Sequence, residues 1–125
     1  MTDAALVGVG VAGAIGAPAR YVIDRAITRR RSGPFPVGTF VVNVSGSLLL
    51  GLLVGAALYH GFSGAPRAWL ATGFCGAYTT FSTFGLETVA LGERAERRTA
   101  GAYVAASTII GCAAAAAGLA IAAAL

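Results

Sequence analysis

Gly73-Phe74-Cys75-Gly76-Ala77-Tyr78-Thr79-Thr80-Phe81-Ser82-Thr83-Phe84-Gly85 sits inside a stretch, 68 to 86, that contains no Asp, Glu or Arg. An uncharged stretch of that length reads as a membrane span, yet its centre is poor helix material. Glycine costs up to about 1 kcal/mol against alanine in a helix, and Ser and Thr hydroxyls compete for backbone hydrogen bonds. The run predicts a helix interruption at membrane depth. Such an interruption is tolerated only where protein or water covers the freed backbone groups, so broken helices mark ion or substrate sites. Their carbonyl ends suit cations and their amide ends suit anions.

Outward from this run, three more stretches are free of Asp, Glu and Arg: 4 to 19, 32 to 66 and 99 to 125. A hydrocarbon core of about 30 Å takes roughly 20 residues at 1.5 Å rise. We expect spans near Ala4–Ile23, Gly38–Leu58, Ala68–Gly92 and Thr99–Ala123, in a single all-α integral membrane domain covering 1–125. Composition agrees: 57% of residues are hydrophobic, 11% are charged, and nothing is left over for a soluble module. Met1-Thr2-Asp3 lacks the basic start of a signal peptide, so the first span is expected to be retained.

Span two carries Thr39, Asn43 and Ser47 at i, i+4 and i+8, along one helix face. Hydroxyls commonly bond back to their own helix, but an asparagine amide in hydrocarbon must find a partner or a wet path. Span four repeats the spacing with Tyr103, Ser107 and then Gly111. Hydroxyls, an asparagine NH₂ and the electropositive edges of Phe81 and Phe84 can together replace water around a small anion. A phenylalanine stripe alone is more often core.

Other motifs are structural. Gly8-Val9-Gly10-Val11-Ala12-Gly13 fits the dinucleotide pattern G-x-G-x-x-G but lies within a span, with no preceding strand. Like Gly51-Leu52-Leu53-Val54-Gly55, it reads as a surface for close helix packing. Tyr59, His60, Phe62 and Trp69 form an expected interfacial belt. Cys75 and Cys112 fall inside spans and read as buried thiols rather than a disulfide.

All nine basic residues are arginine. A nucleic-acid protein would gather them in a solvated stripe, whereas here they sit in short clusters between uncharged runs. Arg20, Arg25, Arg29, Arg30 and Arg31 join spans one and two; Arg94, Arg97 and Arg98 join spans three and four; only Arg67 falls on the other side. The positive-inside rule then puts both termini outside and the arginine-rich connections in the cytoplasm. Arg20 lies near the expected end of span one, where it reaches the headgroups or turns into a wet cavity. Glu87 is the odd charge near the third span, and Glu93 with Arg97 reads as an i,i+4 surface pair.

Three of the four spans carry a resemblance. Gly13-Ala14-Ile15-Gly16-Ala17-Pro18-Ala19-Arg20-Tyr21, then Gly38-Thr39-Phe40-Val41-Val42-Asn43-Val44-Ser45-Gly46-Ser47, then the run from Gly73 to Phe84, resemble in order the signatures of the Fluc (CrcB) fluoride channels. The resemblance implies passive, fluoride-selective export across the inner (plasma) membrane, and so fluoride resistance, by an antiparallel dimer with two pores. It also implies a structural sodium ion at the dimer centre, held by the backbone carbonyls of Gly76 and Thr79. Phe81 and Phe84 become the ring-edge fluoride contacts and Asn43 a donor to fluoride. Thr39, Ser82, Thr83, Tyr103 and Ser107 become polar lining, and Arg20 and Glu87 charged positions near pore entrances. This chain departs from the pattern at Gly111, where a hydroxyl is expected, and at Gly85, where a serine is common. The dimer is a homodimer or a heterodimer with an oppositely inserted homologue; the eight-to-one arginine bias suits a single insertion orientation and hence the heterodimer. A small multidrug-type exporter would need a carboxylate inside span one, where none precedes Asp24, and a structural assembly protein would not explain 79 to 84. The single His and sparse carboxylates offer no enzymatic acid–base pair.

Overall fold

The structure, a computed structural model, describes residues 2–125. Helix α1 (Asp3–Arg30) opens with the Thr2 hydroxyl accepting from the Ala5 N–H at 3.2 Å, has Asp3 in its first turn and ends on Arg29 and Arg30, which suits the helix dipole. Helix α2 (Val37–His60) closes at Gly61, whose φ of 69° lets the Phe62 N–H return to the Ala56 carbonyl at 3.1 Å. The third span is composite. It comprises α3 (Gly64–Ala68), a π-helical stretch (Trp69–Cys75), α4 (Gly76–Tyr78), an extended interruption, and α5 (Ser82–Glu93). Helix α6 (Arg97–Ala124) completes the chain. Of these, α1, α2 and α6 are each long and apolar enough to cross a bilayer unbroken.

Three boundaries differ from the sequence reading. Helix α1 runs on to Arg30, because a helix need not stop where the hydrocarbon does, so Arg20 lies inside the helix. The third span begins at Gly64 rather than Ala68. Glu93 closes α5 and Arg97 opens α6, with Ala95 reversing the chain at φ 60°, so the two never share a helix as an i,i+4 pair.

Glycine contacts hold the bundle together, as expected of helices with no hydrophobic drive to associate in lipid. Helix α2 makes its most extensive contact with α6, and α1 with the π-helical stretch. A Cβ on Gly51 would run into the Ala115 backbone, and one on Gly118 would meet Leu52 N at 2.7 Å. Across the other pair, a Cβ on Gly73 would meet Val9 O at 2.6 Å, while Gly8 accommodates the Trp69 ring. The packing role read for the Gly8–Gly13 and Gly51–Gly55 segments is thus what Gly8, Gly13, Gly51 and Gly55 do, whereas Gly10 has nothing within 4 Å. Cys75 is buried, but Cys112 faces outward, because the α6 face carrying it has nothing packed against it within the chain.

The two ends of the bundle are chemically distinct. At one, Trp69 Nε1 donates to Ala5 O at 3.2 Å and His60 Nε2 lies 2.7 Å from Ala122 O, so the belt residues also fasten helix ends. At the other end Arg31 and Arg94 share a cavity with Glu87 and Asp24. Seven arginines gather on that end's segments, and Arg20 stands apart, deeper in the bundle.

A candidate ion path at the broken helix

The interruption is built by one side chain. Had α4 continued, the Thr80 N–H would have bonded the Gly76 carbonyl; it donates instead to Asn43 Oδ1 at 2.8 Å. Asn43 Nδ2 returns a bond to the Thr80 carbonyl, also at 2.8 Å. A primary amide has the donor and acceptor of a peptide group, so α2 supplies by side chain the backbone pairing that the third span gives up. Around this pair, the Thr79 hydroxyl donates to Cys75 O at 2.9 Å and the Thr83 N–H donates to the Thr80 hydroxyl at 3.1 Å, starting α5. Gly46 lets α2 approach, since a Cβ there would collide with Thr79 Cγ2 and crowd Tyr78. Tyr78 is buried, stacked on Phe74 with centroids 5.4 Å apart, and its hydroxyl shares a 2.9 Å bond with Ser45.

Beside the break lies an open cavity of about 390 Å³. Asn43, Ser47, Gly76, Thr79, Thr80, Phe81, Phe84 and Ser107 all line it. Two of the lining hydroxyls are already used: Ser47 donates to Asn43 O at 2.8 Å and Thr79 to Cys75 O. Among the described residues, Ser107 Oγ is the buried side-chain polar atom without a partner. Asn43 has a second N–H beyond the one given to Thr80. The cavity therefore presents uncommitted donors beside the rings of Phe81 and Phe84. Gly111 faces Ser47, its missing Cβ 3.8 Å from Ser47 Oγ, so the departure from a hydroxyl there leaves open space next to Ser47.

The remaining expected site residues are distributed around this cavity. Thr39 and Thr83 line a second cavity, of about 200 Å³, with Arg20 and Thr80. There Arg20 Nη1 reaches the Thr79 carbonyl at 3.5 Å, so the guanidinium turns inward to the break. Ser82 is exposed, 3.4 Å from the Thr80 hydroxyl. Tyr103 is fully buried (0% exposed), donates to Glu87 Oε1 at 3.3 Å and packs against Phe84 with centroids 5.0 Å apart. Thr39 is buried, 3% exposed.

Phe81 and Phe84 do not form one inward stripe. Their centroids are 5.9 Å apart, but Phe84 turns in toward Tyr103 whereas Phe81 is 84% exposed on the single chain. The three-residue spacing implies a shared helix face, yet Phe81 precedes the first turn of α5. Sequence reasoning missed Thr80, the residue through which Asn43 holds the break; its place at the centre of the polar run was the available signal. It also missed Phe35, packed edge-on to Tyr103 at 5.4 Å. Among the described residues no three His, Cys, Asp or Glu side chains converge as metal ligands.

Residues 7–119 match the family described as CrcB-like protein, Camphor Resistance (CrcB). The chain is 50% identical over 115 residues to Fluoride-specific ion channel FluC 2 of Mycolicibacterium paratuberculosis, covering 91% of this chain and 90% of that one. It is 49% identical over 118 residues to Fluoride-specific ion channel FluC 1 of Frankia casuarinae, covering 87% and 88%. With Fluoride-specific ion channel FluC 2 of Cutibacterium acnes it shares 47% over 112 residues, 89% of this chain and 91% of that relative. A family match across nearly the whole chain, with relatives near half identity over most of their own length, means that this multi-pass membrane protein belongs to the CrcB family.

Proposed function

We propose that this chain forms a passive fluoride channel of the plasma membrane, lowering cytoplasmic fluoride; it is a conduit and not an enzyme, since no bond is made or broken. The observation that carries the reading is the Asn43–Thr80 pairing, which opens the third span at membrane depth next to a cavity with uncommitted donors. Fluoride entering there exchanges water for the Ser107 hydroxyl, the second Asn43 N–H and the edges of Phe81 and Phe84. These contacts are neutral dipoles, so the ion is stabilised enough to enter and held weakly enough to leave. Thr39, Ser82, Thr83 and Tyr103 extend the polar lining, with Arg20 and Glu87 toward the entrances. The named activity of the close relatives supports the same ion.

The finer reading concerns assembly. The Gly76 and Thr79 carbonyls, released where α4 ends, suit a sodium ion, which would neutralise the converging carbonyl dipoles and stiffen the break. One chain offers too few oxygens, so a second, inverted subunit completes the shell and covers Phe81. The arginine distribution favours a fixed orientation and therefore a heterodimer with an inverted homologue. Fluoride efflux from liposomes is the test: a correctly assembled dimer that passes no fluoride defeats the channel reading. Tagging both termini and probing sidedness addresses the pairing, where equal populations of both orientations would exclude the heterodimer.

A further inference from the structure

Helix α1 has two faces of opposite character. Ala5 and Gly16 are buried inward, with Gly8 and Gly13 against the third span. At 100° per residue, Val7, Val11, Ile15, Pro18, Val22, Arg25 and Arg29 fall within an arc of about 80° on the other side. Every one of them is exposed. An outward stripe of bulky apolar residues is what lipid contacts; surfaces for other helices use small residues, as the inward face of α1 does. The stripe ends on two arginines one turn apart, and the groove between them, about 240 Å³, is lined by Tyr21, Val22, Arg25, Ala26 and Arg29 with no acidic residue. Arg25 lies over the Tyr21 ring, 5.9 Å from its centroid, which fixes its depth along the helix. The nearest acidic neighbour in sequence, Asp24, turns to the other side, where it accepts from the Thr28 hydroxyl and abuts Gly38.

We propose that this face of α1 is a binding site for one anionic phospholipid, its phosphate shared by Arg25 and Arg29 and an acyl chain running along Val22, Pro18 and Ile15. The dimensions agree: ten residues from Ile15 to Arg25 rise about 15 Å, half of a hydrocarbon core of about 30 Å. Charge complementarity names the occupant, because two guanidiniums without a carboxylate suit a phosphate diester. A second copy of the chain would have to offer an acid at that level and small residues along the stripe.

The test is native mass spectrometry of the full-length protein extracted from vesicles of equal phosphatidylglycerol and phosphatidylcholine. The expected result is retained phosphatidylglycerol, with affinity about 30-fold weaker in the Arg25→Gln/Arg29→Gln double variant and unchanged in Arg97→Gln/Arg98→Gln. Arg25→Lys/Arg29→Lys, which keeps charge and fold, should stay within a few-fold of the parent. Equal retention of both lipids, or the same loss from the Arg97/Arg98 pair, would overturn the site. Glycerol phosphate, a headgroup without chains, should not compete; competition at equal concentration would overturn the lipid assignment in favour of free phosphate. Disulfide capture of a second copy by Val22→Cys in vesicles would overturn it as well.

Discussion

Replacing Asn43 with alanine removes both bonds that hold the interruption, each 2.8 Å long. A made hydrogen bond is worth about 1 kcal/mol net, and a buried group left unpaired costs about 1–3 kcal/mol. Two groups are stranded, the Thr80 N–H and C=O, giving about 2–6 kcal/mol in a dry setting. Thr80 is only half-buried and borders the 390 Å³ cavity, so water reaches it and the low end, about 2 kcal/mol, is expected. At 1.4 kcal/mol per tenfold, that lowers the population of ordered break by about 30-fold. Asn43→Asp separates stability from conduction: the carboxylate still accepts from the Thr80 N–H, so about half the stability is retained, while its charge opposes an anion in the path. Denaturation in mixed micelles reads the first quantity and fluoride efflux from liposomes the second. An Asn43→Ala protein with the parent's denaturation midpoint and full efflux would refute the reasoning, since the break would then be held by something other than this pair.

Phe81→Ala should change the stability of the single chain by no more than about 0.5 kcal/mol, since the ring is 84% exposed, yet abolish most fluoride efflux; a large stability loss without loss of flux would reverse its assignment. Gly118→Ala places a methyl against the α2 backbone and should cost about 1–3 kcal/mol in micelle denaturation, whereas Gly101→Ala, with nothing within 4 Å, should cost nothing and gain up to about 1 kcal/mol of helix propensity. Gly111→Ser adds a hydroxyl facing Ser47 and should leave stability within about 0.5 kcal/mol while altering efflux rate, measured side by side with the parent.

The sequence carried the spans and the break because both depend on local composition: charges cannot sit in hydrocarbon, and the Thr-Thr-Phe-Ser-Thr-Phe run weakens a helix wherever it lies. Asn43 was conspicuous for the same reason, an amide with no water. Its partner was not legible, because pairing with Thr80 depends on how α2 approaches through Gly46. The outward turn of Phe81 was hidden too, since helical phase is lost across an extended residue such as Thr79, with ψ 160°. Pattern reading also closed α1 at the first dense charges, although charge ends a membrane span and not a helix; Asp24 and Arg25 simply continue it beyond the hydrocarbon. The π-helical stretch, which packs against α1, left no composition signal, because no residue type in Trp69–Cys75 marks i→i+5 bonding.

That stretch makes one part of the third span indifferent to chain length. Each i→i+5 loop encloses one residue more than an α-turn, so Trp69–Cys75 stores surplus chain that an α-helix of equal rise would not contain. Losing one residue there, for instance Ala71, can be absorbed by reverting to α-geometry while Gly76–Tyr78 and the break stay in phase with Asn43. The same deletion in α2, at Leu49, has no such reserve and would rotate every later residue by about 100°. A deletion scan scored by protein retained in the membrane should show a tolerant window at 69–75 and none in α2; uniform intolerance would mean that the surplus is fixed by its contacts with α1.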